Sequence, residues 1–388
     1  MLFGSLHSVY GCCRLSEAIM SVAARLLLLT LIIYIDDSIL LEAWNCLPSS
    51  EALLDLLFDL LRVRMSTAKT ESHVSQRVMT VLGINYDRAN LSMTITVPVD
   101  KLAKALKWIE EAQTGIDDSN LQMVTLEKIR GIIQHFACIK EYKSEMGVVR
   151  ALDEWTSATK FRKLIMQRPA RRKLMTTLLM LKEIIANWGP LVITPAKLDK
   201  QMAHVYSDAA NPHKPSMGGM LVNEEGKSIA WMLHLPDPSS VPNWAQQFLH
   251  IGVWELIAIH VSQRRFREET KDKWGVFHVD NLGDCYCLSA GSSKCVLSQA
   301  IIWMITDEVK HSGDPAYYAY IRTSRNLGDP LTRLEKLPAL LKEYPAEVAN
   351  IKPDAIPWSE YKGKFDTIAN TRIARPAKKA RIHKPDHK

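Results

Sequence analysis

Between His204 and Leu337 the chain alternates strand-like and helix-like segments, and their order restricts the fold more than any other feature. His204–Ser207 and Met217–Val222 are β-branched or apolar runs, Asn223-Glu224-Glu225-Gly226 is a turn, and Ser228–Leu235 is a third strand. A long helix is expected over Trp244–Phe266, then a strand over Gly275–Val279 and a helix over Leu297–Lys310. A strand over Ala316–Arg322 and a short helix over Asp329–Leu337 close the series. Three strands, a helix, a strand, a helical region, a strand and a helix imply an α/β or α+β domain.

Upstream, the pattern differs. Ser16–Thr30 is helical, Leu31–Tyr34 turns β-branched, Asp36 and Asp37 follow, and Ser38–Leu41 is apolar again. This reads as a hairpin, buried on its flanks, with two carboxylates at its tip. Ser49–Val63 is helical, and Val78–Tyr86 with Leu91–Val97 forms a second hairpin around Asp87-Arg88-Ala89-Asn90. From Val99 to Trp188 the periodicity is helical almost throughout, with helices over Asp100–Gln113, Asn120–Lys140, Lys143–Phe161 and Arg171–Asn187. Gly189-Pro190 and Pro195 break it and mark a boundary near residue 198. Beyond Ala346 the chain is rich in proline and lysine and reads as a disordered basic tail. The expected divisions are 1–98, 99–198, 199–345 and 346–388.

The net charge of +7 is concentrated at the C-terminus, where residues 371–388 carry seven basic side chains against the single acid Asp386. The seven cysteines are irregularly spaced without a C-x-x-C pair, which argues against a zinc site or a disulfide framework and for a reducing, intracellular setting. Leu26–Ile35, the most apolar run, is too short to span a bilayer, and no secretory leader pattern precedes it, so no membrane association is expected.

Four acids of the second half stand at structurally telling places. Asp208 ends the first strand, Glu255 lies inside an apolar helix, Asp280 ends the fourth strand, and Asp329 opens the last helix. A turn residue, a helix N-cap and a solvated helix face use the same residue types. Glu255, however, is flanked by Trp254, Leu256, Ile257 and Ile259, where an unpartnered carboxylate is costly. Carboxylates brought together repel one another unless cations lie between them. Two Mg²⁺ ions, or Mn²⁺ in their place, meet that need and can activate water and stabilise a leaving oxygen in phosphodiester cleavage. An oxygen donor set suits Mg²⁺.

The motifs around these acids resemble those of a retroelement ribonuclease H domain. His204-Val-Tyr-Ser-Asp-Ala-Ala210 with Gly218-Gly219 is similar to its opening, and Val253-Trp-Glu-Leu-Ile-Ala258 to its glutamate helix. His278-Val-Asp-Asn281 is similar to its second aspartate segment. Arg325-Asn-Leu-Gly-Asp-Pro-Leu-Thr-Arg333 resembles the closing N-x-x-A-D-x-L-S-R signature, with Gly328 for alanine and Thr332 for serine. The resemblance implies that the five strands form one mixed sheet flanked by helices. It also implies that Asp208, Glu255, Asp280 and Asp329 hold two metal ions and cleave the RNA strand of an RNA–DNA hybrid.

Tyr34-Ile35-Asp36-Asp37 resembles the Y-x-D-D motif of reverse transcriptases, and Val81-Leu-Gly-Ile-Asn-Tyr-Asp87 their primer-grip hairpin, with Lys69 preceding it. That resemblance implies a partial polymerase palm over 1–98, with Asp36 and Asp37 as Mg²⁺ ligands and template RNA and DNA as partners, and a helical thumb or connection over 99–198. It points to the gypsy-like or DIRS-like retrotransposon groups. Lys140, Lys143, Arg162, Lys163, Arg168, Arg171, Arg172 and Lys173 are the candidate phosphate contacts of the connection, though a solvated helix face uses the same residues. A further palm carboxylate has no counterpart, since Glu17 is the sole acid before Tyr34, so this polypeptide is not expected to extend a primer. A decayed retroelement product that binds nucleic acid without catalysis is the alternative expectation. Lys378-Lys379-Ala380-Arg381 has the spacing that nuclear import receptors read, which implies a nuclear location.

Overall fold

A computed structural model describes residues 6–34, 37–42, 45–63, 78–89, 92–118, 120–137, 143, 146–158, 161, 165, 167–194, 200–210, 215–235 and 240–373. The chain divides into two compact units, Met1–Met79 and Thr80–Lys388.

In the first unit, helix α1 (Leu6–Leu26) precedes an antiparallel hairpin of β1 (Thr30–Tyr34) and β2 (Asp37–Leu41), and helix α2 (Leu47–Leu60) follows. Ile19, Ala23, Leu29, Leu31, Leu57 and Phe58 form its small core. The hairpin is buried on one face alone: Leu31 is enclosed, whereas Ile32, one residue on and therefore on the opposite face, is 45% exposed. The expectation of burial on both flanks is corrected by that alternation.

The second unit begins with an antiparallel sheet in the order β3 (Val78–Val81), β4 (Ile84–Ala89), β5 (Ser92–Thr96) and β6 (Leu191–Ile193). Between β5 and β6 run helices α3 (Val99–Asp117), α4 (Met123–Ala137), α5 (Met146–Thr156) and α6 (Arg168–Ala186). Their apolar positions recur every three to four residues (Ala105, Ile109, Ala112 and Ile116 in α3) and meet in one core with Ile84 and Ile95 of the sheet. The expected boundary at residue 98 is therefore displaced, because the β4–β5 hairpin packs with the helices that follow it. The expected boundary near 198 separates two sub-regions of one compact unit.

From Met202 onward a six-stranded sheet forms, ordered β11-β10-β7-β8-β9-β12. Strands β7 (Met202–Ala210), β8 (Ser216–Asn223) and β9 (Ser228–His234) are antiparallel. Strand β10 (Trp274–Val279) runs parallel to both β7 and β11 (Ala316–Tyr320). These are the five expected strands in the expected mixed arrangement. The connections to β10 and β11 carry helices α7 (Ile251–Arg265), α8 (Leu282–Ala290) and α9 (Val296–Ser312), as parallel pairing requires. One sheet face packs Ala203, Val205, Leu221 and Trp231 against Val253, Trp254 and Ile257 of α7. The other packs Met220 and Ala230 against Leu331 of α10 (Asp329–Thr332) and Leu340 of α11 (Leu337–Glu343).

The expected helix over Trp244–Phe266 is broken. A single turn spans Asn243–Gln246, His250 takes extended backbone, and α7 starts afresh with the His250 carbonyl accepting from the amides of Val253 and Trp254. Glu255 consequently lies in the second turn of α7 rather than mid-helix.

The expected tail is the largest correction. Strand β12 (Ala346–Asn350) pairs in parallel with β9, and helix α12 (Trp358–Ala369) packs on α9. Tyr361 is fully buried, and its hydroxyl meets His260 Nδ1 at 2.7 Å. Arg372, 4% exposed, donates to the carbonyls of Ser293 and Lys294 at 2.6 and 2.7 Å. Residues 346–373 are thus part of the fold, and the basic run Lys378–Arg381 lies outside the described residues.

Candidate active site

The sheet register brings the first two acids together. In the parallel β7–β10 pair, His278 lies opposite Tyr206, so Asp280 and Asp208, each two residues further on, emerge side by side on the same face. Asp208 lies opposite Gly218 of β8, and a Cβ at Gly218 would stand 2.4 Å from that of Leu331. Glycine there lets α10 settle on the sheet and carry Asp329 toward Asp208. The loop before α10 is fastened to the same strand: Asn326 Nδ2 donates to the Ser207 carbonyl at 3.0 Å, and Thr332 Oγ1 donates to Asp208 Oδ2 at 3.1 Å.

Electrostatics report the convergence. Asp208 is 5% exposed and its pKa is pushed up to about 7, first by burial and then by the charges of Asp280, Asp329 and Glu255, while the Thr332 hydroxyl lowers it. Burial also raises Glu255, with the hydrogen bond to Asp284 and the charge of Asp280 adding to it. Asp284 is raised too, by burial first and by the charge of Asp280, while its contact with Glu255 lowers it. Asp329 is neutralised differently: Arg333 Nη2 reaches its Oδ1 at 3.0 Å and Lys336 Nζ its Oδ2 at 2.7 Å. Asp280, Asp329 and Glu255 thus all lie within electrostatic reach of Asp208.

Asp284 is a fifth member that the sequence reading passed over. It lies in the first turn of α8, whose N-cap is Asn281, with Asn281 Oδ1 accepting from the amides of Gly283 and Asp284 at 2.9 and 3.3 Å. The signal was present in Asp280-Asn-Leu-Gly-Asp284: a capping Asn places the acid three residues on at the start of a helix, beside the strand end. Lys336, beyond the closing signature, was also passed over.

Among the described residues, no three His, Cys, Asp or Glu side chains stand in ready ligand geometry for a metal ion. The donor set nonetheless suits a hard cation. Glu255 Oε2 and Asp284 Oδ2 are buried without a hydrogen-bond partner, and the clustered acids are all-oxygen donors. The Arg333 and Lys336 cations supply at Asp329 the kind of neutralisation that Mg²⁺ would supply to the other acids.

Asp36 and Lys69 lie outside the described residues, as do Lys140, Arg162 and Lys163; Asp37 begins β2, its backbone opposite Tyr34. Two proposed phosphate contacts are engaged internally: Lys143 Nζ donates to the Ser289 carbonyl at 3.0 Å, and Lys173 Nζ to those of Ala369 and Arg372 at 3.0 and 3.2 Å. For Lys173 this corrects the expectation of a solvated or duplex-facing side chain, since it is part-buried beneath the C-terminal segment.

No family model matches the chain, and no curated protein matches it. Among solved structures, RNase H1 from the halophilic archaeon Halobacterium salinarum NRC-1 aligns over 36% of this chain and 98% of its own, at 15% identity and a TM-score of 0.29. The N-terminal RNase H domain of a Mycobacterium tuberculosis protein, solved as a fusion with maltose-binding protein, aligns over 37% of this chain and 98% of its own, at 9% identity and a TM-score of 0.27. Superpositions this loose carry no chemistry, which rests on the side chains above.

Proposed function

We propose that the second unit is a ribonuclease H-like hydrolase that cuts the RNA strand of an RNA–DNA hybrid, within a chain of retroelement reverse transcriptase type. The observation that carries this reading is the place of Asp208, buried beside the end of β10, bonded to Thr332 and within electrostatic reach of Asp280, Asp329 and Glu255. Ion pairs account for Asp329 alone, through Arg333 and Lys336; burying the other like charges together is unfavourable unless a cation is to be bound.

Asp208, Glu255, Asp280 and Asp329 would hold Mg²⁺, with Asp284 beside Glu255. Bound Mg²⁺ supplies charge neutralisation at the scissile phosphate and lowers the pKa of water. The chain's own residues do the rest. Thr332 orients Asp208, Asn281 fixes the start of α8 and so the place of Asp284, and Arg333 and Lys336 hold Asp329.

The polymerase part of the reading rests on the Tyr34–Asp37 motif, the β1–β2 hairpin and the resemblance of Val81–Asp87, with Lys69 before it, to a primer grip. Template RNA and DNA as partners, the palm and connection assignments, and nuclear import through Lys378–Arg381 are proposed on sequence resemblance. A reporter fused to residues 371–388 that stays outside the nucleus removes the import proposal.

The test is direct. A labelled RNA–DNA hybrid incubated with the full chain and Mg²⁺ should lose its RNA strand and keep its DNA strand. An uncut hybrid across Mg²⁺ and Mn²⁺ concentrations supports a folded, non-catalytic nucleic-acid-binding remnant instead.

A further inference from the structure

The strands that carry Asp208 and Asp280 hold a second constellation a few residues upstream. His204 lies on β7 and His278 on β10, and because Val276 pairs with His204 and His278 with Tyr206, the two imidazoles are diagonal neighbours on one face. His204 Nδ1 and His278 Nε2 are 3.1 Å apart. The ring centroids are 5.3 Å apart with only 21° between the planes, so the two rings meet nitrogen to nitrogen, edge against edge. Tyr206 lies flat on His278, 4.3 Å away and within 11° of parallel, and holds the orientation of that ring. Both histidines are intermediate in burial, reachable from solvent yet held by their neighbours.

Two nitrogens at this separation span one metal ion. With metal–nitrogen bonds of about 2.0–2.1 Å, a 3.1 Å gap corresponds to an angle at the metal of roughly 100°. That value lies between octahedral and tetrahedral geometry. Imidazole nitrogen favours Zn²⁺, Ni²⁺ and Cu²⁺ and discriminates against Mg²⁺, which prefers the carboxylate oxygens further along the same strands. The ring that donates the present N–H···N bond can carry its proton on its other nitrogen, leaving a lone pair on each facing nitrogen with no net loss of a proton. A turn of each ring within its own plane, which keeps the Tyr206 stack, aims both at one ion.

We propose that His204 and His278 form a two-histidine site for a single borderline divalent transition ion, chemically distinct from the carboxylate cluster, with water completing the coordination. Two protein ligands leave open positions on the ion. A bound ion also ties β7 to β10 directly upstream of Asp208 and Asp280.

The experiment uses the full chain, stripped of metal and held in excess Mg²⁺ so that hard oxygen sites are filled. Zn²⁺ is titrated against a chromophoric competitor for the wild type, His204→Gln and His278→Gln. The expected result is one Zn²⁺ per chain that Mg²⁺ does not displace, weakened in each variant by more than the roughly 10- to 100-fold that loss of an outer-shell partner costs. Cu²⁺-loaded wild type should show the nitrogen hyperfine pattern of two imidazoles in its paramagnetic resonance spectrum, a readout that needs no variant to fold. Zn²⁺ affinity unchanged in both variants overturns the proposal, and so does a wild-type spectrum lacking a pair of nitrogens. Neither readout involves nucleic acid, so failure of the nuclease reading leaves the result interpretable.

Discussion

Thr332 Oγ1 donates a hydrogen bond of 3.1 Å to Asp208 Oδ2, tying the turn that follows Asp329 to the first strand of the sheet. Both groups are buried, and this bond is the contribution that keeps the Asp208 pKa from rising further. Thr332→Ser keeps the hydroxyl and should keep both stability and the pH profile. Thr332→Ala should cost about 1 kcal/mol, the net worth of a typical hydrogen bond, and move the acid limb of the activity profile to higher pH. Thermal denaturation and a pH–rate series on the two variants check this.

Asp208 makes the metal-free protein less stable as the solution becomes more alkaline. Its folded pKa of about 7 lies above the ordinary carboxylate value, so the folded state binds the proton more tightly than the unfolded chain. The contribution is most favourable below about pH 4, declines as pH rises toward 7, and is constant above. Asp208→Asn removes the charge and can retain the Thr332 contact. In the presence of a chelator it should be more stable than the wild type at pH 8, by at most about 4 kcal/mol, and show little gain at pH 4. Added Mg²⁺ should narrow that gap by stabilising the wild type alone. Denaturant melts at the two pH values measure it.

Much of the second half was legible because the strand order and the acids obey local rules that tertiary packing did not override. Asp208, Glu255, Asp280 and Asp329 could be selected because each sits at a strand end, at a helix start or in an apolar helical stretch. Asp284 was not, because its placement depends on a capping asparagine and on α8 packing beside α7. The final helix was hidden by Pro345, Pro353 and Pro357, which bound rather than interrupt it. Its core positions Trp358, Tyr361, Phe365 and Ile368 recur at helical spacing among lysines that dominated the composition. In the first unit, an apolar run longer than the buried face requires made the hairpin read as buried on its flanks, whereas Ile32 is exposed.

The C-terminal segment should prove structural. Tyr361→Phe leaves His260 Nδ1 without its 2.7 Å partner in a fully buried place, at a cost of about 1–3 kcal/mol. Ending the chain at residue 345 removes β12 and α12 and should abolish soluble folded protein. If that truncation melted cooperatively at the wild-type temperature, the assignment of residues 346–373 to the fold would be wrong.

Gly328 admits no larger residue without movement. A Cβ there would stand 2.7 Å from the Ser207 carbonyl carbon and 2.8 Å from the Asp208 amide nitrogen, both backbone atoms. Gly328→Ala should destabilise by roughly 1–3 kcal/mol and lower activity through displacement of Asp208, even though the carboxylates are untouched. Melting temperature and turnover, measured on the same preparation, test both parts.

The central claim is that four distant acids form one catalytic metal site, and the sharpest test is the rate of hybrid cleavage by Asp280→Asn beside the wild type at saturating Mg²⁺. With its melting profile intact, the variant should cleave at a rate lower by on the order of 100-fold or more. A variant that cuts the hybrid within about twofold of the wild type, on that same scale, contradicts the account.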